Sequence, residues 1–416
     1  MLVPFFFVNW GTKHLNHTVM KNNCLPLAFL TLVTFVSCHQ NPSVAFDDQV
    51  SLAGADTLVF SLDDSTYYNS KAIFQFEDHG KEYLSFQNDR ERGKPRTLIF
   101  DVENRSVFKT VPLYEEGPNG IPAIFGSWPV DMNHFIVTTY STCFYLVDDK
   151  GNIQKKIQLW HWDRKDKKAL FKDYCLSTFS SYYSSPAILQ DSILYFKQTK
   201  VGYPHKPEDW KNISMFAYAN LNTGKMAKTE LKFPSIFSEE EIMRNKSYDP
   251  SFSYAYTGEE VAMSFYQYDS IFVSSDFKHL RAYNAKSRYF PSVRPQLYNA
   301  YKDLLVWLQE EYLKPQYHHL FYDKYRDVFY RFALQPYQFP KGRSPMEEAS
   351  GQEFSIIVLN NKYEIIGETR FPGNTYHYRM CFVGKKGLYL SLNNQQNPCF
   401  DEDKLMFRCF TLQENK

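Results

Sequence analysis

The sequence predicts an all-β fold, a single β-propeller of six blades with seven as the alternative count, on three observations. Aromatic residues are abundant, 36 Phe and 31 Tyr in 416 residues, and such side chains suit half-buried pleated surfaces. Short runs of alternating apolar and polar residues recur, separated by turns containing Asp, Asn and Gly, the pattern of strands and hairpins. The runs group into units of about 40 to 60 residues, the spacing of propeller blades. A stack of open β-sandwiches is the rival architecture. Ring closure accounts better for units that recur with no Pro/Gly/Ser-rich linker between them.

The first element is an export segment. Met20-Lys21-Asn22-Asn23 is a short basic start, Leu25 to Val36 is apolar but too short to span a bilayer, and Ser37 places a small residue before Cys38. Phe35-Val36-Ser37-Cys38 resembles a lipobox, with Phe35 where Leu is usual, so Cys38 is the expected lipidation site. The chain then turns polar from His39 to Ser43, as a tether does. The boundaries expected are 1–19 untranslated or disordered, 20–37 signal peptide, 38–50 lipidated tether and 51–416 propeller. Acyl chains give about 0.8 kcal/mol per buried methylene, enough to hold the domain on a membrane. The expected location is the cell envelope, at the outer membrane.

The blades follow in order. The first holds Ala72–Phe76, Glu82–Phe86, Thr97–Asp101 and Val107–Val111. The second holds His134–Thr138, Phe144–Asp148 and Ile153–Leu159, its hairpin turning at Asp149-Lys150-Gly151-Asn152, where Gly and Asn tolerate positive φ. The third repeats the device at Asn222-Thr223-Gly224. The fourth spans about 253–290, with strands at Glu260–Phe265 and Ser270–Val273. The fifth runs from Tyr317 to Phe371 and the sixth from Tyr376 to Leu412. Leu58–Leu62, left over before the first unit, is expected to complete the last blade and close the ring. Helical signals are confined to Ser238–Met243 and Pro295–Leu308, both between blades.

Lys plus Arg number 47 against 46 acidic residues, a net charge of +1. No field of one sign draws in nucleic acid, which is excluded as a partner. The seven cysteines have no CxxC spacing, and no HxH or HExxH pattern occurs, so neither a metal nor another cofactor is expected. Cys381, Cys399 and Cys409 fall in the last blade, where an oxidising compartment permits a bridge.

Three stretches, Glu116–Ile121, Tyr322–Phe332 and Glu402–Leu405, resemble a family of Bacteroidetes lipoproteins whose mature domain is known only as domain of unknown function 4221. The resemblance covers nearly all of the mature chain. It implies a lipid-anchored, propeller-like domain and carries no established catalytic residues.

Candidate ligand-binding residues are Glu116, Asn119, Asp323, Arg326 and Arg331. Glu115-Glu116-Gly117-Pro118-Asn119-Gly120 reads as a ligand-contacting loop at a propeller mouth or, with greater weight, as a tight turn between blades. Read as one strand, Tyr317 to Arg331 places Tyr325, Asp327, Phe329 and Arg331 on one face and Arg326, Val328 and Tyr330 on the other. Arg331 then either meets an anion in the central channel or pairs with a carboxylate inside the sheet. His318 and His319, adjacent on a strand, are expected to point apart, while His134, His161 and His377 are the histidines able to gather at the channel. No GxSxG, P-loop or GxGxxG element stands in a suitable context, and no catalytic residue is identifiable. Two functions remain: a binding or scaffold module for an envelope protein, peptide or glycan, and an envelope hydrolase or lyase using carboxylates such as Glu116 and Asp323.

Overall fold

A computed structural model describes residues 48–70, 72–88, 94–139, 143–158, 187–198, 213–238, 251–293, 312–339 and 351–415, all within the unit Asp47–Lys416. The expected signal, lipobox and most of the tether lie outside the described residues, as do Glu239–Met243 and Pro295–Leu308. Ser238 ends a 3-10 turn, Ser235–Ser238.

The chain enters along β1 (Val50–Ser61) and then builds five antiparallel sheets in sequence order. Blade one is β2 (Ile73–Asp78), β3 (Lys81–Asn88), β4 (Arg96–Asp101) and β5 (Ser106–Pro112). Blade two is β6 (Ile124–Pro129), β7 (His134–Thr139), β8 (Cys143–Asp148) and β9 (Ile153–Gln158). Blade three is β10 (Ile188–Gln190), β11 (Ile193–Lys197), β12 (Phe216–Asn220) and β13 (Met226–Lys228). Blade four is β14 (Phe252–Tyr256), β15 (Val261–Phe265), β16 (Ser270–Ser274) and β17 (Arg281–Asn284). Blade five is β18 (Gln316–Asp323), β19 (Val328–Leu334), β20 (Phe354–Asn360) and β21 (Ile365–Phe371). Blade six combines β22 (His377–Val383), β23 (Leu388–Ser391) and β24 (Lys404–Glu414) with β1, in the order β1-β24-β23-β22.

The fold is a six-bladed β-propeller, as the unit count predicts. The leftover strand closes it: Leu58, Val59 and Phe60 pair with Phe407, Met406 and Leu405. Not legible beforehand were β6, β10 and β11, whose runs are short or interrupted by Gly, Pro and Asp, and the fourth strand of blade three lies at Met226–Lys228 where the sequence pattern places it at Thr229–Phe233.

A polar side chain at or just past the end of the third strand sets the hairpin in blades one to five. Asp101 accepts from the backbone N–H of Asn104, Asp148 from Lys150 and Asn152, and Asn220 from Asn222 and Thr223. Asp276 accepts from Lys278 and His279, and Asn360 from Lys362 and Glu364. Such Asx turns fix the register locally. In two of them glycine supplies the positive φ that follows, Gly151 at 79° and Gly224 at 73°.

Six apolar clusters sit between the blades, one at each seam. The closing seam joins Leu58, Phe60, Phe382 and Phe407 of blade six to Leu84, Phe86 and Phe100 of blade one. Phe60 is fully buried, its ring centre 4.5 Å from that of Phe100. Both faces of most blades are therefore buried, which explains strands such as β19 and β20 that are apolar at almost every position. Cys143, Cys381, Cys399 and Cys409 are all free, so no bridge forms in the last blade.

A central channel with an aromatic cup

Antiparallel topology gives the ring two unlike faces. The first strand of each blade lines the channel, and all six run in the same direction. Turns from first to second and third to fourth strand emerge on the face where these inner strands end. Those turns are short: Asp78 to Lys81, Asp148 to Ile153 and Asp323 to Val328 are typical. On the opposite face lie the strand ends that the longer connections join, Gln158 and Ile188, Lys228 and Phe252, and Asn284 and Gln316 among them.

Between the two faces, inner strands from four blades line an open cavity of about 200 Å³. Its wall includes Phe74 and Gln75 of β2, Tyr254 and Tyr256 of β14, Phe321 and Tyr322 of β18, and Phe382 of β22. Tyr256, Phe321, Tyr322 and Phe382 sit near the ends of their strands, towards the short-turn side of the channel, while Phe74 and Gln75 lie near the beginning of β2. The Tyr322 hydroxyl donates to Asp327 at 2.9 Å and that of Tyr256 to the Gly258 carbonyl at 2.5 Å.

A polar network forms the rim and reaches across blade six. Tyr325 of the β18–β19 turn donates to Glu77 Oε1 at 2.7 Å and accepts from Gln75 Nε2 at 2.9 Å. Lys324 and Lys385 pair with Glu77 at 2.7 and 3.0 Å. Hydrogen bonds from Lys324, Tyr325 and Lys385 outweigh desolvation and pull the Glu77 carboxyl down to about 2. Glu82 beside it is shifted the other way, burial raising its pKa despite a hydrogen bond from the Lys385 backbone N–H.

Where the inner strands begin, histidines converge. A bulge between Tyr317 and Leu320 breaks the alternation of β18, so His318 and His319 do not point apart: their Nδ1 atoms lie 3.3 Å from one another. The extra residue of a bulge re-aims the side chains around it. Both are buried, His318 stacks on Tyr266, and Tyr378 packs against the pair. Burial first, and then the charge of Arg379, holds the neighbouring His377 imidazole down at about 4. His318 and His319 are shifted well below their ordinary value for the same leading reason. His134 lies elsewhere, bonded to Asp131, and His161 is outside the described residues. Among the described residues no group of His, Cys, Asp and Glu is arranged to hold a metal ion.

The five candidate residues are not brought together. Glu116 is exposed on the loop between blades one and two, where Gly117 takes φ 83° and the Ile121 N–H bonds the Tyr114 carbonyl. The turn reading describes this loop. Asn119 fastens it to blade two, donating to Asn152 Oδ1 and accepting from the Ile153 N–H. Asp323 is fully buried and accepts from Arg326 Nε at 2.6 Å and the Tyr330 hydroxyl at 2.8 Å. Arg326 also donates to the Gly384 and Lys385 carbonyls, tying blade five to blade six.

Arg331 departs from both roles foreseen for it. Its guanidinium lies in the seam between blades four and five, donating to Ser264 Oγ and to the carbonyls of Tyr268, Asp269 and Ala285. Residues 324–327 form the turn between β18 and β19, so the predicted alternation holds only from Val328 onward. Phe329 and Arg331 then face blade four, while Val328 and Tyr330 face blade six.

The cup residues escaped the sequence reading because nothing in an isolated strand marks it as the channel wall. The usable signal was positional: Phe74-Gln75, Tyr254 to Tyr256 and Phe321-Tyr322 each sit in the first run of their unit.

The profile of the family described as Domain of unknown function (DUF4221) matches residues 49–370. The chain is 39% identical to a DUF4221 family member from Bacteroides vulgatus whose crystal structure is solved, with a TM-score of 0.78 over 88% of this chain and 99% of that one. Virginiamycin B lyase from Staphylococcus aureus is 10% identical, TM-score 0.40, over 85% of this chain and 99% of that one. BamB from Moraxella catarrhalis is 9% identical, TM-score 0.36, over 86% of this chain and 100% of that one. At these scores neither of the latter two bears on fold or function. No curated protein matches the chain. Profile and crystal structure agree, and the chain belongs to the DUF4221 family of domains of unknown function.

Proposed function

We propose that this protein is a lipid-anchored binding propeller of the bacterial cell envelope, capturing a protein or peptide through the channel cup. The cup carries the reading: a cavity of about 200 Å³ walled by Phe74, Tyr254, Tyr256, Phe321, Tyr322 and Phe382. That is smaller than the roughly 300–1,000 Å³ of ordinary small-molecule pockets and suits one side chain inserted as an anchor. Support for the anchor comes from Phe35-Val36-Ser37-Cys38 and the polar tether behind it, and from the likeness to a Bacteroides protein.

The test is crosslinking in a Bacteroidetes host, comparing wild type, Phe321→Ala and Cys38→Ala. Phe321→Ala is expected to lose a specific crosslinked partner while folding normally, and Cys38→Ala to leave the membrane fraction. Unchanged crosslinking by a folded Phe321→Ala protein removes the cup from the function, and a membrane-bound Cys38→Ala protein removes the anchor.

A further inference from the structure

The cup offers one hydrogen-bonding atom in a fixed chemical sense. Gln75 Nε2 contacts Glu82 Oε1 at 3.2 Å and the Tyr325 oxygen at 2.9 Å. Both partners identify that atom as nitrogen. Glu82 Oε1 already accepts from the Lys385 N–H, and Tyr325 gives its own proton to Glu77, so each can only accept from Gln75. Both amide hydrogens are thus engaged on the rim. Gln75 Oε1 is left without a hydrogen-bond partner among the described residues, an acceptor beside the aromatic rings of the wall.

We infer that the cup receives the indole side chain of a partner polypeptide's tryptophan, ring against Phe74, Phe321 and Phe382 and ring N–H donating to Gln75 Oε1. This rests on the binding reading above and adds the identity of the anchor. An engineered apolar cavity of about 150 Å³ holds benzene, so about 200 Å³ has room for a larger ring. Indole also matches Gln75 in sign: it carries a donor and no acceptor, so it meets Gln75 Oε1 without burying a polar atom of its own unpaired. A phenol brings a donor and an acceptor, and an aliphatic side chain leaves Gln75 unsatisfied at a cost. The rim fixes Gln75 before any partner arrives, because its amide is held by Glu82 of blade one and Tyr325 of blade five.

Titration of the full chain with N-acetyltryptophanamide, its indole N-methyl derivative and N-acetylleucinamide, followed by ligand-observed NMR, tests the inference. The tryptophan amide is expected to bind saturably and N-methylation to weaken it about three- to tenfold, the range of one hydrogen bond. Gln75→Leu should bring the two indoles to equal affinity, and Phe321→Ala should abolish both. The methylated probe needs no altered protein, so the result stands even if a variant fails to fold. Equal binding of the two indoles by wild type, preference for the leucine amide, or no binding of any probe overturns the inference. If Phe321→Ala still loses the crosslinked partner while the probes fail, the cup binds a different group and only this inference falls.

Discussion

The guanidinium carbon of Arg331 lies 3.4 Å from the centre of the Tyr317 ring, and the Tyr317 hydroxyl in turn donates to Asp269 at 2.7 Å. Blade five thus supplies a cation and an aromatic platform to a loop of blade four, whose Tyr268, Asp269 and Ala285 carbonyls all accept from the Arg331 guanidinium. Burial lowers the Arg331 pKa to about 10, which leaves it protonated at neutral pH. Arg331→Met is expected to cost about 3–5 kcal/mol, because carbonyls built around a charge are orphaned. Arg331→Lys should recover little of this, lacking the planar fork that serves several acceptors and stacks on the ring. Urea unfolding of the three proteins measures both numbers, and a lysine variant as stable as wild type would contradict the account.

Glu116 and Asn119 are neighbours in sequence with opposite expectations. Glu116→Gln should leave stability within about 0.5 kcal/mol, as surface changes usually do. Asn119→Ala should lose about 1 kcal/mol or more, since it removes the bonds to Asn152 and Ile153 that fasten the inter-blade loop to blade two. Thermal melts of the pair settle the contrast, and equal stability would dismiss the role given to Asn119.

The buried histidines give the propeller an acid limit. Burial is the largest cause of the depressed pKa of His318, His319 and His377, and Arg379 opposes protonation of all three; His319 and Lys197 also act on His318, and His377 on His319. Their folded pKa values lie below the unfolded value of about 6.5, so the fold holds neutral imidazoles while the unfolded chain takes up protons as pH falls. Stability is complete above about pH 6.5 and declines below it, by about 1.4 kcal/mol per pH unit for each suppressed proton. For His377 the decline continues to about pH 4. Urea midpoints at pH 7, 6 and 5 should fall in wild type, and His377→Gln should show a shallower fall by about one proton. Parallel curves for the two proteins would refute this.

Ring closure depends on β1. Phe60→Ala removes a fully buried ring from the seam between blades six and one and should cost about 3–5 kcal/mol. Hydrogen exchange should speed first in β1 and β24, which pair over most of their length. Exchange that instead accelerates evenly through all six blades would mean that this strand is not where the ring opens.

Local regularities carried the blade plan. Alternating runs, a turn-setting Asp or Asn after the third strand and the unpaired run at Leu58–Leu62 are properties of neighbouring residues, so six blades and their closing strand were determined by the sequence itself. The packing of side chains was not. Strand periodicity separates two faces, but in this propeller both are buried seams, and the channel wall differs only by lying first in each blade. A one-residue bulge after Tyr317 turned His318 and His319 towards each other, and the turn at 324–327 carried Tyr325 over blade six to Gln75. Arg331 met carbonyls of another blade instead of an anion in the channel. These contacts join residues far apart in the chain, and ring closure alone brings them within reach.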